Sequence, residues 1–181
     1  MEIILVRHTT PAIAKGVCYG QADIDVTNTF EEEVQEILTN LKSFNFDAIY
    51  SSPLQRCKKL AEQIGDRIIY DKRLMELNFG DWELKNWNEI PEEELNPWME
   101  NFVELAPPNG ESYIDLHKRT TSFLEEISSK NYKSVLLVTH AGAIRSMWSQ
   151  INKNPLTKSF DLKLTYGEIV SFNLQENNYE Q

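Results

Sequence analysis

Two histidines and two arginines stand just beyond short apolar runs, where they can meet one ligand. Arg7 and His8 follow Ile3, Ile4, Leu5 and Val6. Ser51 and Ser52 follow Ala48, Ile49 and Tyr50, with Arg56 one helical turn beyond Ser52. Thr139 and His140 follow Val135, Leu136, Leu137 and Val138, and Ala141 and Gly142 come next. This set suits phosphoryl transfer. A histidine nitrogen can attack phosphorus and carry the group covalently, splitting one hard displacement into two easier ones. Arginines offer planar, forked, permanently charged donors that match phosphate oxygens. The transition state asks mainly for positioning and charge stabilisation. A proton for the departing oxygen is still needed, and a carboxylic acid near the site can supply it. Taken singly, each histidine reads as a structural residue and each arginine as an ion-pair partner; the chemistry rests on the set.

The set converges only if the apolar runs are strands of one sheet. In open α/β sheets, ligands bind beyond the carboxyl ends of the strands. The runs at 3–6, 48–50, 68–70 and 135–138 are short and mostly β-branched, as strands covered on both faces are. Between them Phe30, Val34, Ile37, Leu38 and Leu41 recur at helical spacing, and Tyr113, Leu116, Thr120, Phe123, Leu124 and Ile127 trace one helical face. Ser52 and Pro53 read as an N-cap and a first-turn proline opening a helix that runs to about Gly65. A further helix is expected from Ala143 to about Ile151, and an alternating last strand from Glu168 to Leu174. Alternating strands and helices imply an α/β three-layer sandwich with a mostly parallel central sheet and helices on both faces. The whole of 1–181 reads as one domain with a short lid-like insertion at about 82–110, a stretch rich in acids and prolines that holds Trp82, Trp87 and Trp98.

Composition narrows the partners. The 181 residues carry a formal net charge of −10, which disfavours nucleic acid and anionic membrane. A small basic pocket must therefore attract any anionic substrate. Two cysteines, Cys18 and Cys57, make no disulfide framework, and no stretch is long and apolar enough for a membrane span or signal peptide. The expected setting is the cytoplasm. No His, Cys and acid cluster has metal-ligand spacing, so neither metal nor cofactor is expected. His117 sits beside an apolar helical stripe and reads as structural, and Cys57 as a buried helix residue. Oligomeric state is not legible.

The segment Arg7-His8-Thr9 resembles the Arg-His-Gly signature of the histidine phosphatase superfamily, which includes the cofactor-dependent phosphoglycerate mutases. Four further segments follow in the family's order. Ser51-Ser52-Pro53-Leu54-Gln55-Arg56-Cys57 is similar to the motif of the second phosphate arginine. The segment from Leu74 to Glu83 resembles the one that carries the proton donor, which falls on Glu76. Asn109-Gly110-Glu111-Ser112 resembles a Gly-Glu-Ser helix start, and Val138-Thr139-His140-Ala141-Gly142 the motif of the second histidine. Thr9 stands where the family carries glycine. Cys18-Tyr19-Gly20-Gln21-Ala22-Asp23 looks like the Cys-Tyr-Gly-Gln-x-Asp segment of bacterial α-ribazole phosphatases, which act in assembly of the cobalamin lower loop.

The resemblance implies a metal-independent phosphomonoesterase with a phosphohistidine intermediate. It implies catalytic roles for His8, Glu76, His140, Arg7 and Arg56, and substrate contacts from Tyr19, Gly20, Gln21 and Thr139. The expected substrate is α-ribazole 5′-phosphate. The alternatives are a broad small-molecule phosphatase, a phosphoglycerate mutase-like enzyme, or a phospho-ligand binding protein without turnover. The partner is in each case a small phosphate monoester.

Overall fold

A computed structural model describes residues 1–174. Its centre is a five-stranded sheet built from β1 (Glu2–Arg7), β2 (Ala48–Ser51), β3 (Ile68–Tyr70), β4 (Ser134–Thr139) and β5 (Ile169–Asn173). The strand order is β3-β2-β4-β1-β5, parallel throughout except for β5, which runs antiparallel along β1. Five α-helices accompany it: α1 (Phe30–Leu41), α2 (Gln55–Ile64), α3 (Glu92–Glu100), α4 (Tyr113–Ser128) and α5 (Ala141–Asn152). The expected α/β architecture is the one observed.

Side chains alternate across a strand, so each apolar run feeds two cores. Ile3, Leu5, Val135 and Leu137 pack with Phe123, Ile127, Ile144 and Met147 of α4 and α5. Ile4, Val6, Leu136 and Val138 pack with Val34, Ile37, Cys57 and Leu60 of α1 and α2 on the opposite face. All eight strand residues are fully buried. Burial on both faces explains why these runs show no polar alternation.

The register positions the site. Val6 lies opposite Val138 and Arg7 opposite Thr139, so β1 and β4 end together and release His8 and His140 side by side. Ser51 of β2 pairs with Val138, bringing the third segment to the same edge.

Three expectations about elements are corrected. Ser52 does not cap α2, which begins at Gln55 after an extended Leu54. The Gln55 N–H instead donates to Asp23 from a distant loop, at 2.7 Å, and Ser52 is drawn away to His140. The last helix starts at Ala141, two residues before the expected Ala143. The last strand is shorter than expected and begins at Ile169. By contrast, Ser112 opens α4 as the motif implied, in a reciprocal capping box with Asp115.

Residues from 79–98 form a separate cluster with Cys18: Cys18, Trp82 and Ile90 are buried against Phe79, Trp87, Leu95 and Trp98. Cys18 is thus packing rather than pocket lining, and burial pushes its thiol up to about 12.

Leu136 of β4 lies between β1 and β2, packs against the α1 and α2 side of the sheet, and has no exposure. Leu136→Ala is expected to lower unfolding free energy by about 2–5 kcal/mol, measured by urea denaturation with an unchanged m-value.

Candidate active site

His8 leaves β1 into a buried setting, 2% exposed. Its Nδ1 lies 2.7 Å from the Thr9 carbonyl, which can only accept, so Nδ1 carries the proton. Nε2 then keeps its lone pair. The Thr9 side chain is fully buried. Thr9 is absent from the positive-φ residues, so this position does not require glycine's conformational freedom. His140, fully buried at the start of α5, has its ring centroid 5.0 Å from that of His8. Its Nε2 is 2.8 Å from Ser52 Oγ and 3.4 Å from Cys57 Sγ.

Two arginines flank the pair without neutralising anions. Arg56 is fully buried. Its Nη2 donates to the Gly20 carbonyl at 2.5 Å and its Nη1 to the Ala22 carbonyl at 2.9 Å. Arg7 donates to the Leu164 carbonyl at 2.8 Å and stacks on Tyr166, 4.0 Å from the ring centroid. Among the described residues neither guanidinium pairs with a carboxylate, and the Nε–H of each is buried without an acceptor. Buried donors left open beside two imidazoles form a cradle for oxygen anions.

The loop that holds Arg56 is itself held by Glu83. Its carboxylate accepts the N–H groups of Gly20 at 2.9 Å, Gln21 at 2.9 Å, Ala22 at 3.0 Å and Phe79 at 3.0 Å. A Cβ on Gly20 would lie 1.8 Å from the Leu77 carbonyl oxygen, so only glycine allows this approach.

Glu76 reaches the site from irregular backbone. Its Oε1 accepts from Leu77 N–H at 2.9 Å and its Oε2 from Gly142 N–H at 3.0 Å, in the first turn of α5. A Cβ on Gly142 would stand 2.1 Å from Oε1. Arg7, His8 and Glu76 line a cavity of about 210 Å³. Its walls are largely aromatic, from Tyr19, Phe79, Trp87, Trp98, Phe102, Tyr113 and Phe160. Trp87 and Trp98 stack at 6.1 Å, while Trp82 is buried behind them with its Nε1–H on Glu94.

Tyr19 lines this cavity, and its hydroxyl bonds that of Tyr166 at 2.8 Å. Gly20, Gln21 and Thr139 hold other residues instead: Gln21 Nε2 donates to the Glu76 carbonyl, and Thr139 Oγ1 to that of Leu74. His117 bonds Ser146 away from the site. Sequence reasoning missed Arg145. It lines the cavity from α5, donates its Nε–H to the Leu162 carbonyl, and leaves both terminal nitrogens without an acceptor among the described residues. A helix starting at Ala141 returns its fourth following residue, Arg145, to the same face; the later expected start hid this. Among the described residues no group of three or more His, Cys, Asp and Glu could hold a metal ion.

Burial first, and then Arg56, hold both imidazoles well below the ordinary histidine range; Arg7 adds to this for each, and His8 and Arg119 add to it for His140. The folded chain therefore keeps neutral rings where the unfolded chain takes up protons. Stability is at its full value above about pH 6.5 and declines as pH falls toward the depressed folded values. The urea midpoint is expected to drop from about pH 7.5 to about pH 5, and a His8→Asn/His140→Asn variant to flatten that slope. An identical slope in the variant would assign the acid sensitivity to other groups.

Comparison with known proteins agrees with this geometry. The profile of the Histidine phosphatase superfamily (branch 1) matches residues 3–180. An Escherichia coli O1:K1 protein, "Probable phosphoglycerate mutase GpmB", is 33% identical over 186 residues, covering 97% of this chain and 86% of that one. The α-ribazole phosphatase of Shigella flexneri superposes with a TM-score of 0.90 at 22% identity, covering 97% of this chain and 92% of that one. A mycobacterial glucosyl-3-phosphoglycerate phosphatase gives a TM-score of 0.82 at 22% identity, covering 94% and 88%. With its paired strand-end histidines and its ordered motifs, the chain belongs to the histidine phosphatase superfamily.

Proposed function

We propose that the chain is a phosphomonoesterase that works through a phosphohistidine on His8. The observation that carries this reading is the 2.7 Å contact of His8 Nδ1 with the Thr9 carbonyl, which assigns the proton to Nδ1 and frees Nε2 beside two unneutralised arginines. Arg7, Arg56 and His140 bind the phosphate oxygens. His8 Nε2 attacks phosphorus as the bond to the leaving oxygen breaks, and Glu76 gives that oxygen a proton. The Thr9 carbonyl stabilises the positive charge that the ring gains. Glu76 then takes a proton from water, the water oxygen bonds phosphorus, and the P–N bond breaks to release phosphate and neutral His8. Arginines and histidines supply the charge stabilisation, so the scheme needs no metal.

The most specific substrate in this reading is α-ribazole 5′-phosphate. A flat, neutral base suits walls of Trp87, Trp98, Phe79 and Phe102. The names of two structural neighbours point the same way. Residues 82–110 act as the lid over that ring. Two buried, unpaired thiols and a strongly acidic surface suit a cytoplasmic enzyme with small-molecule partners. A second reading, a monoester that also bears a carboxylate, is favoured by Arg145 alone, because its open guanidinium could clamp a second anion.

His8→Ala is expected to abolish turnover, and wild-type reaction quenched in denaturant to carry acid-labile, base-stable phosphate on His8. Appreciable hydrolysis by the variant would rule out the covalent scheme, and a chain that binds phosphate esters without releasing phosphate would be a binding protein.

Discrimination is a ratio of kcat/KM values. The wild type is expected to prefer α-ribazole 5′-phosphate to 3-phosphoglycerate. The opposite preference, abolished by Arg145→Met, would select the carboxylate-bearing substrate instead.

A further inference from the structure

The chain that carries Glu76 has no helix or sheet to hold it. A 3₁₀ turn ends at Leu74, and Met75 continues in extended backbone. Yet four consecutive carbonyls, from Arg73 to Glu76, are each gripped by a side chain. Arg119 Nη1 donates to the carbonyls of Arg73 and Met75, both at 2.7 Å. Thr139 Oγ1 donates to that of Leu74 at 2.6 Å. The Glu76 carbonyl accepts from Arg119 Nη2 at 2.9 Å and from Gln21 Nε2 at 3.0 Å.

Arg119 is the centre of this arrangement. It lies on α4 and is absent from the residues that line the cavity. Its remaining donors go to Glu111, which receives Nε–H at Oε2 and Nη2–H at Oε1. Glu111 Oε1 also accepts from Asn78 N–H at 3.3 Å, so the same pair reaches both sides of Glu76. All five N–H donors of the guanidinium are engaged, which fixes its plane and leaves it no rotational freedom. A lysine has at most three donors and no fork, and could hold only part of this set.

We infer that Arg119 is a positioning residue: through three backbone carbonyls it sets where the Glu76 carboxyl stands, and thereby controls proton delivery to the leaving group without touching substrate. A general acid acts only within hydrogen-bond reach of its target, so a small shift of this backbone removes most of the help. Thr139 and Gln21 serve the same end. The inference rests on Glu76 being the acid, as proposed above.

The test separates geometry from general damage by using leaving groups. An alkyl phosphate needs the proton, whereas a nitrophenyl phosphate leaves nearly unaided. The first step, phosphorylation of His8, is followed by rapid quench for both esters in wild type, Arg119→Gln, Arg119→Lys, Thr139→Val and Glu76→Gln. Orthovanadate affinity reports the anion cradle, and urea unfolding reports integrity. Glu76→Gln is expected to slow the alkyl ester by about 10²–10⁴-fold, with little effect on the aryl ester. Arg119→Gln should show the same selectivity at roughly 10²-fold. Arg119→Lys, which keeps the charge that His140 senses, should recover part of it with vanadate affinity unchanged, and Thr139→Val should show a smaller selective loss, also with vanadate affinity unchanged. If Glu76→Gln is selective and the Arg119 and Thr139 variants lose both esters equally, Arg119 is only structural and the inference falls alone. If Glu76→Gln itself shows no selectivity, the acid assignment falls and takes the inference with it. Should Arg119→Gln fail to fold, Arg119→Lys and Thr139→Val decide the matter by the same ratio.

Discussion

The site depends on burying positive charge without neutralising it. A carboxylate beside Arg56 would satisfy the guanidinium but cancel the charge that an oxyanion needs. The chain instead gives Arg56 two carbonyl dipoles, from Gly20 and Ala22. One peptide unit faces both ways: Gly20–Gln21 presents its carbonyl to Arg56 and its N–H to the Glu83 carboxylate. Cation and anion thus face each other across a layer of polarised peptide. Each ion is hydrogen-bonded, and the two bonds on the shared peptide unit strengthen each other, because both polarise it in one direction. The Gly20–Ala22 loop survives burial beside Arg56 only because both of its faces are satisfied. Neutral imidazoles follow from the same constraint, since a protonated His8 or His140 would add to charge that, among the described residues, no carboxylate pairs with directly.

Arg119 uses the opposite polarity for a similar purpose. Glu83 is an anion that collects N–H groups; Arg119 is a cation that collects carbonyls. Strand ends place His8 and His140 by regular geometry, because the β1–β4 register fixes both. Glu76 and the Gly20–Ala22 loop have no such scaffold, and a side chain with several hydrogen-bond positions takes its place.

That division also decides what could be read from the sequence. The runs Ile3–Val6 and Val135–Val138 are saturated with apolar residues because both faces are covered, and a run of that kind announces itself without a partner. The helical stripes of α1 and α4 were legible for the same reason. The motif residues at strand ends followed from the rule that ligands sit there. The start of α2 differs from the local reading because Ser52, a good local cap, is engaged by His140, and its substitute Asp23 lies thirty-two residues before Gln55. Local propensity cannot report such a long-range exchange. Arg145 was hidden by a two-residue error in the start of α5. Arg119 has no local signal at all, and Glu83 closes a matched segment without a role of its own: each is one charged residue among many until the backbone groups around it are known. The motifs mark Thr139, Gly20 and Gln21 as substrate contacts, and the structure engages them with Leu74, Arg56 and Glu76. A motif marks positions that the chemistry requires and leaves open whether a residue meets the ligand or a neighbour.

The sheet order has a consequence for the life history of the chain. β1 lies between β4 and β5, and both are translated long after it. A nascent chain therefore carries β1, with its apolar Ile3–Val6 run, unpaired until β4 has been made. Closing so large a loop is entropically costly and makes for slow, high-contact-order folding. His8 and His140 come together only at that closing step. No growing intermediate holds the phosphate cradle, so the nascent protein passes from inert to competent in a single late event, and until then Ile3–Val6 is the segment that a chaperone would find.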